Sequence, residues 1–199
     1  MNKLKKHSIF EENLSTLKET SIDNNNTTTQ AFMTDSLLEV VNFDGVKNAY
    51  IKNLKLKETP KSNDALFFDG QGKVIFIEFK NGSVKSSKEY DLRKKIYDSL
   101  LIFTDITNHG ITYTRNNMDY ILVYNEGKNE ISSKKLGENS MQESESRNKI
   151  AKVFMNKGGE DFIRFGLEIF KNYCFSNVYT YTVQEFEEKF LQNTREQVD

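Results

Sequence analysis

The sequence predicts an α/β fold: a mixed central sheet flanked by helices, with a helical C-terminal extension. Three observations predict it. Residues 64–69 and 73–80, within DALFFDGQGKVIFIEFK, are two Phe/Ile/Val-rich strands joined by Gly70-Gln71-Gly72, whose glycines admit a tight hairpin turn. Residues 86–105 carry Leu92, Ile96, Leu100 and Phe103 at helical spacing. Residues 118–124, MDYILVY, are a nearly continuous apolar run, short enough for a buried strand.

The remaining elements follow in order. Residues 1–20 read as a weak amphipathic helix through Leu4, Phe10, Leu14 and Leu17, and 21–30, SIDNNNTTTQ, as a polar linker. Residues 30–42 read as a helix, with Met33, Leu37, Val40 and Val41 at helical spacing and Asn42 with Gly45 as its stop. Residues 49–58 alternate, Tyr50, Leu54 and Leu56 against Asn53, Lys55 and Lys57, as a half-buried strand does, and Pro60 ends it. Residues 126–147 form a polar loop. Helical segments follow at 145–156 and 159–172, then a strand at 177–181. Thr182 and Glu185 have capping-box spacing and open a last helix through Val183, Phe186 and Phe190. The expected division is an N-terminal helix and linker (1–30), a core (31–125), the loop, and an α-rich extension packed on the core (148–199).

Composition narrows the function classes. The chain has 199 residues, 37% hydrophobic and 29% charged, enough for one domain with a real core. Its net charge of −1 argues against a non-specific nucleic-acid coat protein. The charge is uneven, however. Residues 47–95 hold twelve Lys or Arg against six Asp or Glu, whereas 138–199 hold eight against eleven. A positive excess around 64–80 suits a phosphate backbone, and a solvated lysine-rich surface would look the same. Cys174 is alone, which excludes an intramolecular disulfide and fits a reducing cytoplasm. The N-terminus lacks the apolar stretch of a signal peptide, and no run approaches the length of a membrane span. There is no Walker A loop, no GxGxxG and no GxSxG.

The hairpin carries the chemistry. Residues two apart on a strand share a face, so Glu78 and Lys80 are neighbours. Pairing across the glycine turn sets Asp64 opposite residues 78–80. Two carboxylates can hold Mg²⁺ through oxygen ligands and leave positions for water and a phosphate oxygen. A lysine beside them can orient water and offset charge. The same pattern also makes an ordinary salt-bridged strand end. Asp69, in the turn, reads as a turn former.

Asp64 and then Glu78-Phe79-Lys80, on a hairpin between two helices, resemble the PD-(D/E)xK nuclease superfamily. The resemblance covers about half the chain, residues 30–124, and its motif is short. It implies a restriction-endonuclease-like core of helix, three-stranded meander, helix and strand. It also implies that Asp64 and Glu78 are metal ligands, that the Phe79 backbone carbonyl joins them, and that Lys80 is the catalytic lysine. Glu39 would be the further ligand some members carry on the first helix. Arg93 and Tyr97 hold the spacing of a Gln and Tyr in RecB-type members, with Arg in place of Gln, and Asn63 stands where the motif has proline. Lys85, Lys88, Arg93, Lys94 and Lys95, with Tyr97, are candidate nucleic-acid contacts on the helix after the motif.

The resemblance implies an Mg²⁺- or Mn²⁺-dependent nuclease, and it supplies DNA as the substrate. The other class is an inactive protein on the same scaffold, an immunity or assembly partner acting by protein–protein binding, since fold alone does not imply catalysis. Phe162, Phe165, Phe170 and Tyr173 read as core, with anchors for a protein partner as their other reading; a homodimer is the further partner expected.

Overall fold

The hairpin, the long helix and the apolar run all form; the hairpin and the run make the middle of the sheet, and the helix packs over one of its faces. The computed structural model of the protein describes residues 3–23, 31–84, 86–129 and 162–195. Its strands are β1 (Leu14–Thr16), β2 (Ile22–Asp23), β3 (Ala31–Phe32), β4 (Glu39–Asn42), β5 (Ala65–Phe68), β6 (Val74–Lys80), β7 (Met118–Tyr124) and β8 (Asn177–Thr182). The helices are α1 (Ser8–Glu11), α2 (Leu17–Thr20), α3 (Phe43–Ile51), α4 (Ser86–Thr107), α5 (Ile111–Asn117) and α6 (Val183–Phe186). The last continues through a π-helical stretch, Glu187–Leu191, into a final turn, Gln192–Arg195. Six strands form one open sheet in the order β1-β4-β5-β6-β7-β8, and β2 and β3 make a separate ribbon. Pairing is antiparallel from β1 to β6 and parallel for β6–β7 and β7–β8, so the sheet is mixed.

Alternation along β6 divides the interior in two. Val74 and Phe76 join Leu66, Tyr120 and Leu122 on one face, under Leu92, Ile96, Leu100 and Phe103 of α4. Ile75, Ile77 and Phe79 join Phe67, Ile121 and Val123 on the other, against Phe186 and Leu191. Glu78 faces the α4 side, surrounded by the first cluster. Among the described residues, no helix is long and apolar enough to cross a membrane.

Two expected elements exchange type. Residues 30–42 are not a helix but β3, an irregular stretch and β4. Leu37, placed in the apolar stripe, is 75% exposed, while Val40 and Val41 are buried on opposite faces of the sheet. The hydroxyls of Thr34 and Ser36 instead accept backbone N–H groups two residues on, which favours non-helical backbone. Residues 49–58 are not a strand but the end of α3 and an irregular segment, and Leu54 and Leu56 are about half exposed. Asn42, expected to stop a helix, starts one: its side chain accepts the Gly45 N–H as the N-cap of α3. The antiparallel run β4-β5-β6 is present, with α3 inserted between its first two strands.

The chain ends also differ from expectation. Residues 3–20 form a 3-10 turn at Lys3–Lys6 and two short helices with β1 between them rather than one helix, and β1 pairs with β4 inside the main sheet. Phe10 and Leu17 are fully buried. The described part of the C-terminal extension supplies β8 to the same sheet, so it completes the core rather than packing on it. The helix expected at 145–156, and most of the loop before it, lie outside the described residues. Of the helix expected at 159–172, the described part holds one short 3-10 turn, Glu168–Phe170. Phe170 is buried as expected, whereas Phe162 and Tyr173 are exposed.

Candidate active site

The site forms where the hairpin ladder ends. Ala65 pairs with Ile77, which sets Asp64 across from Glu78. The Asp64 carbonyl accepts the N–H of Phe43, the first residue of α3, and this fixes the chain as it enters β5. Asn63 is held by its own N–H, donated to Ser99 Oγ of α4 at 2.8 Å. Glu78 is completely buried.

Two lysines meet the two acids. Lys95 reaches down from α4, and its ammonium lies 3.1 Å from Asp64 Oδ1, 2.7 Å from Glu78 Oε1 and 2.9 Å from Glu78 Oε2. Lys80 Nζ is 2.8 Å from Glu78 Oε1. The remaining Asp64 oxygen, Oδ2, accepts the Phe79 N–H at 2.7 Å. Two acidic and two basic side chains thus form a cluster between sheet and helix.

Electrostatics follows from burial. Burial and the nearby charge of Glu78 push the Asp64 carboxyl up to about 7, against the pull of Lys95, Lys80 and the Phe79 N–H. Burial alone would lower the pKa of Lys95. The charges of Glu78 and Asp64, and the hydrogen bonds they accept, outweigh it and hold the ammonium above the ordinary lysine range. Two acids this close in a largely buried site call for a cation between them, and here it is the lysine.

The donor set fits a divalent cation. Asp64 Oδ1 and Glu78 Oε1 both touch one ammonium, so they lie no more than about 6 Å apart, a gap that small side-chain shifts would close around an ion with 2.0–2.6 Å ligand distances. An extended residue in an antiparallel pair turns its N–H and C=O to the same side, so the Phe79 carbonyl faces the side of Asp64. Among the described residues, no group of three or more His, Cys, Asp or Glu gathers to hold a metal. A cation at Asp64 and Glu78 would therefore complete its shell from backbone oxygen and water, as Mg²⁺ commonly does.

The other expected site residues do not converge. Glu39 is not on a helix. It sits at the far end of β4, and the register that pairs Val41 with Leu66 carries it away from Asp64 to an ion pair with Lys5. Arg93, Lys94 and Lys95 cannot share a face, because consecutive helical residues point about 100° apart. Lys95 enters the site, Lys94 pairs with Asp98, and Arg93 donates to the Gly166 carbonyl, tying α4 to the C-terminal segment. Lys88 lies near Asp91, at 3.8 Å, and Lys85 is outside the described residues. Tyr97 stacks edge-on against Phe170 and lines a groove of about 690 Å³ with Tyr50, Leu101, His109 and Tyr173. That groove holds none of the four charged groups.

Lys95 is the residue whose place the sequence reading missed. It lies three residues after Leu92 and four before Ser99, both fully buried, so its position beside the buried stripe was readable from helical spacing. Tyr120 was also missed. It pairs with Phe76 on the Glu78 face, its buried hydroxyl has no hydrogen-bond partner among the described residues, and burial and the charges of Glu78 and Asp64 raise its pKa. The chain matches no protein family, no curated protein and no solved structure at a significant level.

Proposed function

We propose that the protein is a metal-dependent nuclease that hydrolyses phosphodiester bonds in DNA, with Mg²⁺ or Mn²⁺ held by Asp64 and Glu78. The observation that carries the reading is the convergence of the two acids, across the end of the hairpin ladder, on one cationic point. A divalent cation there would supply charge relief at a phosphate and acidify water. The register and the Phe79 N–H hold Asp64 beside Glu78, which supports the reading that the two acids act together. Lys80, partly exposed beside Glu78, has donors to orient water and offset charge. The positive excess in residues 47–95 supports a polyanionic substrate, and DNA rests on the family resemblance of the motif.

One observation favours a second reading, an inactive protein on this scaffold that acts as an immunity or assembly partner. The two lysines already neutralise the two acids, as they would in a purely structural ion cluster. Cleavage separates the readings. Plasmid and single-stranded substrates are incubated with Mg²⁺ or Mn²⁺ and wild-type, Asp64→Ala, Glu78→Ala or Lys80→Ala protein, with a thermal melt of each. The nuclease reading expects each substitution to lower cleavage by about 10²-fold or more, with metal binding also lost in the two acidic variants. A folded wild type that cleaves nothing, or cleavage undiminished in the variants, would leave the inactive-scaffold reading standing.

A further inference from the structure

We propose that Lys95 is a tethered competitor for the divalent cation, so that metal entry at Asp64 and Glu78 requires its ammonium to leave the carboxylates. The inference rests on the metal centre of the nuclease reading. Its basis is that all four carboxylate oxygens are engaged. Asp64 Oδ1 accepts from Lys95 and Oδ2 from the Phe79 N–H, while Glu78 Oε1 contacts both lysines and Oε2 accepts from Lys95. The three contacts of Lys95 match the three donors of an ammonium group. A cation that bridged the two acids would therefore have to take oxygens that Lys95 holds, and its charge would repel an ammonium left about 3 Å away.

Of the three donors, Lys95 is the one that contacts both acids, so it is the one a bridging ion must displace. The Phe79 N–H belongs to the backbone of a sheet strand, and Lys80 sits two residues from Glu78 on that same strand. Lys95 arrives from the opposite layer on a flexible four-carbon stem. In the resident position it compensates the fully buried Glu78 and the partly buried Asp64 and keeps them converged. Once displaced, it remains a cation at the rim of the site, on the side from which α4 covers the sheet, where a phosphate diester would be its next anionic partner.

The test is Mn²⁺ binding to the purified full-length chain by calorimetry, for wild type, Lys95→Met and Asp64→Asn. Competition expects Lys95→Met to bind Mn²⁺ about tenfold or more tightly than wild type, and Asp64→Asn to lose binding. Displacement itself is read in unmodified protein. The Lys95 ¹⁵Nζ resonance, visible because a buried hydrogen-bonded ammonium exchanges slowly, should shift or vanish as Mg²⁺ saturates the site. This second measurement decides the matter if Lys95→Met does not fold. Equal or weaker binding in a folded Lys95→Met, with Asp64→Asn still abolishing it, would overturn the competitor role and leave the metal centre intact. A Lys95 resonance indifferent to saturating Mg²⁺ would do the same. No binding to either wild type or folded Lys95→Met would remove the metal centre and the competitor with it.

Discussion

Glu78 keeps a carboxylate in a fully buried position, and the consequences reach Asp64. The folded Asp64 carboxyl, pushed up to about 7 from 3.8, holds its proton more tightly than the unfolded chain does. Its contribution to stability is therefore present below the unfolded pKa and lost as pH rises through about 7. Urea denaturation of wild type and Asp64→Asn, without metal, should show the wild type losing ground relative to the variant between pH 4 and 7. A difference independent of pH over that window would contradict the raised carboxyl. At this scale the sequence made the placement of Asp64 and Lys80 beside Glu78 legible, but not the places of Glu39 and Lys95. A glycine turn and strand alternation are enough to set Asp64 against Glu78. Arg93, Lys94 and Lys95 are three like charges in a row, and only the position of the buried stripe tells which of them turns inward.

Between residues 30 and 58, helix and strand were read in the wrong order for a definable reason. β4 is four residues long and buried on both faces, so Val40 and Val41 show no alternation to mark it. After α3, Leu54 and Leu56 alternate with lysines but remain largely in water. What fixes the boundary is the Asn42 cap, and Asn42→Ala should cost about 1 kcal/mol in a chemical melt. Leu37→Ser, a disruptive change in the expected helix, should stay within about 0.5 kcal/mol because the side chain is already exposed. A reversed ranking would restore the helix. The capping box at Thr182 was legible because both partners are local: Thr182 accepts from Glu185 N–H and Glu185 from Thr182 N–H. α4 and β7 were legible because length and periodicity agree.

Across the whole molecule, the N-terminal segment is part of the main core. The ring of Phe10 packs against Phe68 of β5 and Phe103 of α4, and β1 extends the sheet beyond β4. Phe10→Ala should therefore cost about 3–5 kcal/mol, the range for a large ring deleted from a packed interior. A loss below about 1 kcal/mol in urea denaturation would return residues 3–16 to the status of an appendage. Sequence reading set this segment aside because the polar run after it looks like a domain boundary, and a three-residue strand carries no periodic signal. The mixed pairing of the sheet has a consequence for how the chain folds. Asp64, Glu78 and Lys95 lie within 31 positions of one another, whereas the β7–β8 ladder joins residues 58 positions apart. Longer closures carry a larger entropic cost and tend to form later. The charged cluster is then expected to form in an early, local unit, with β8 closing on it afterwards. In native-state hydrogen exchange, the amides of β8 should open at lower free energy than those of β6, so the acids would stay converged while the far edge of the sheet comes and goes.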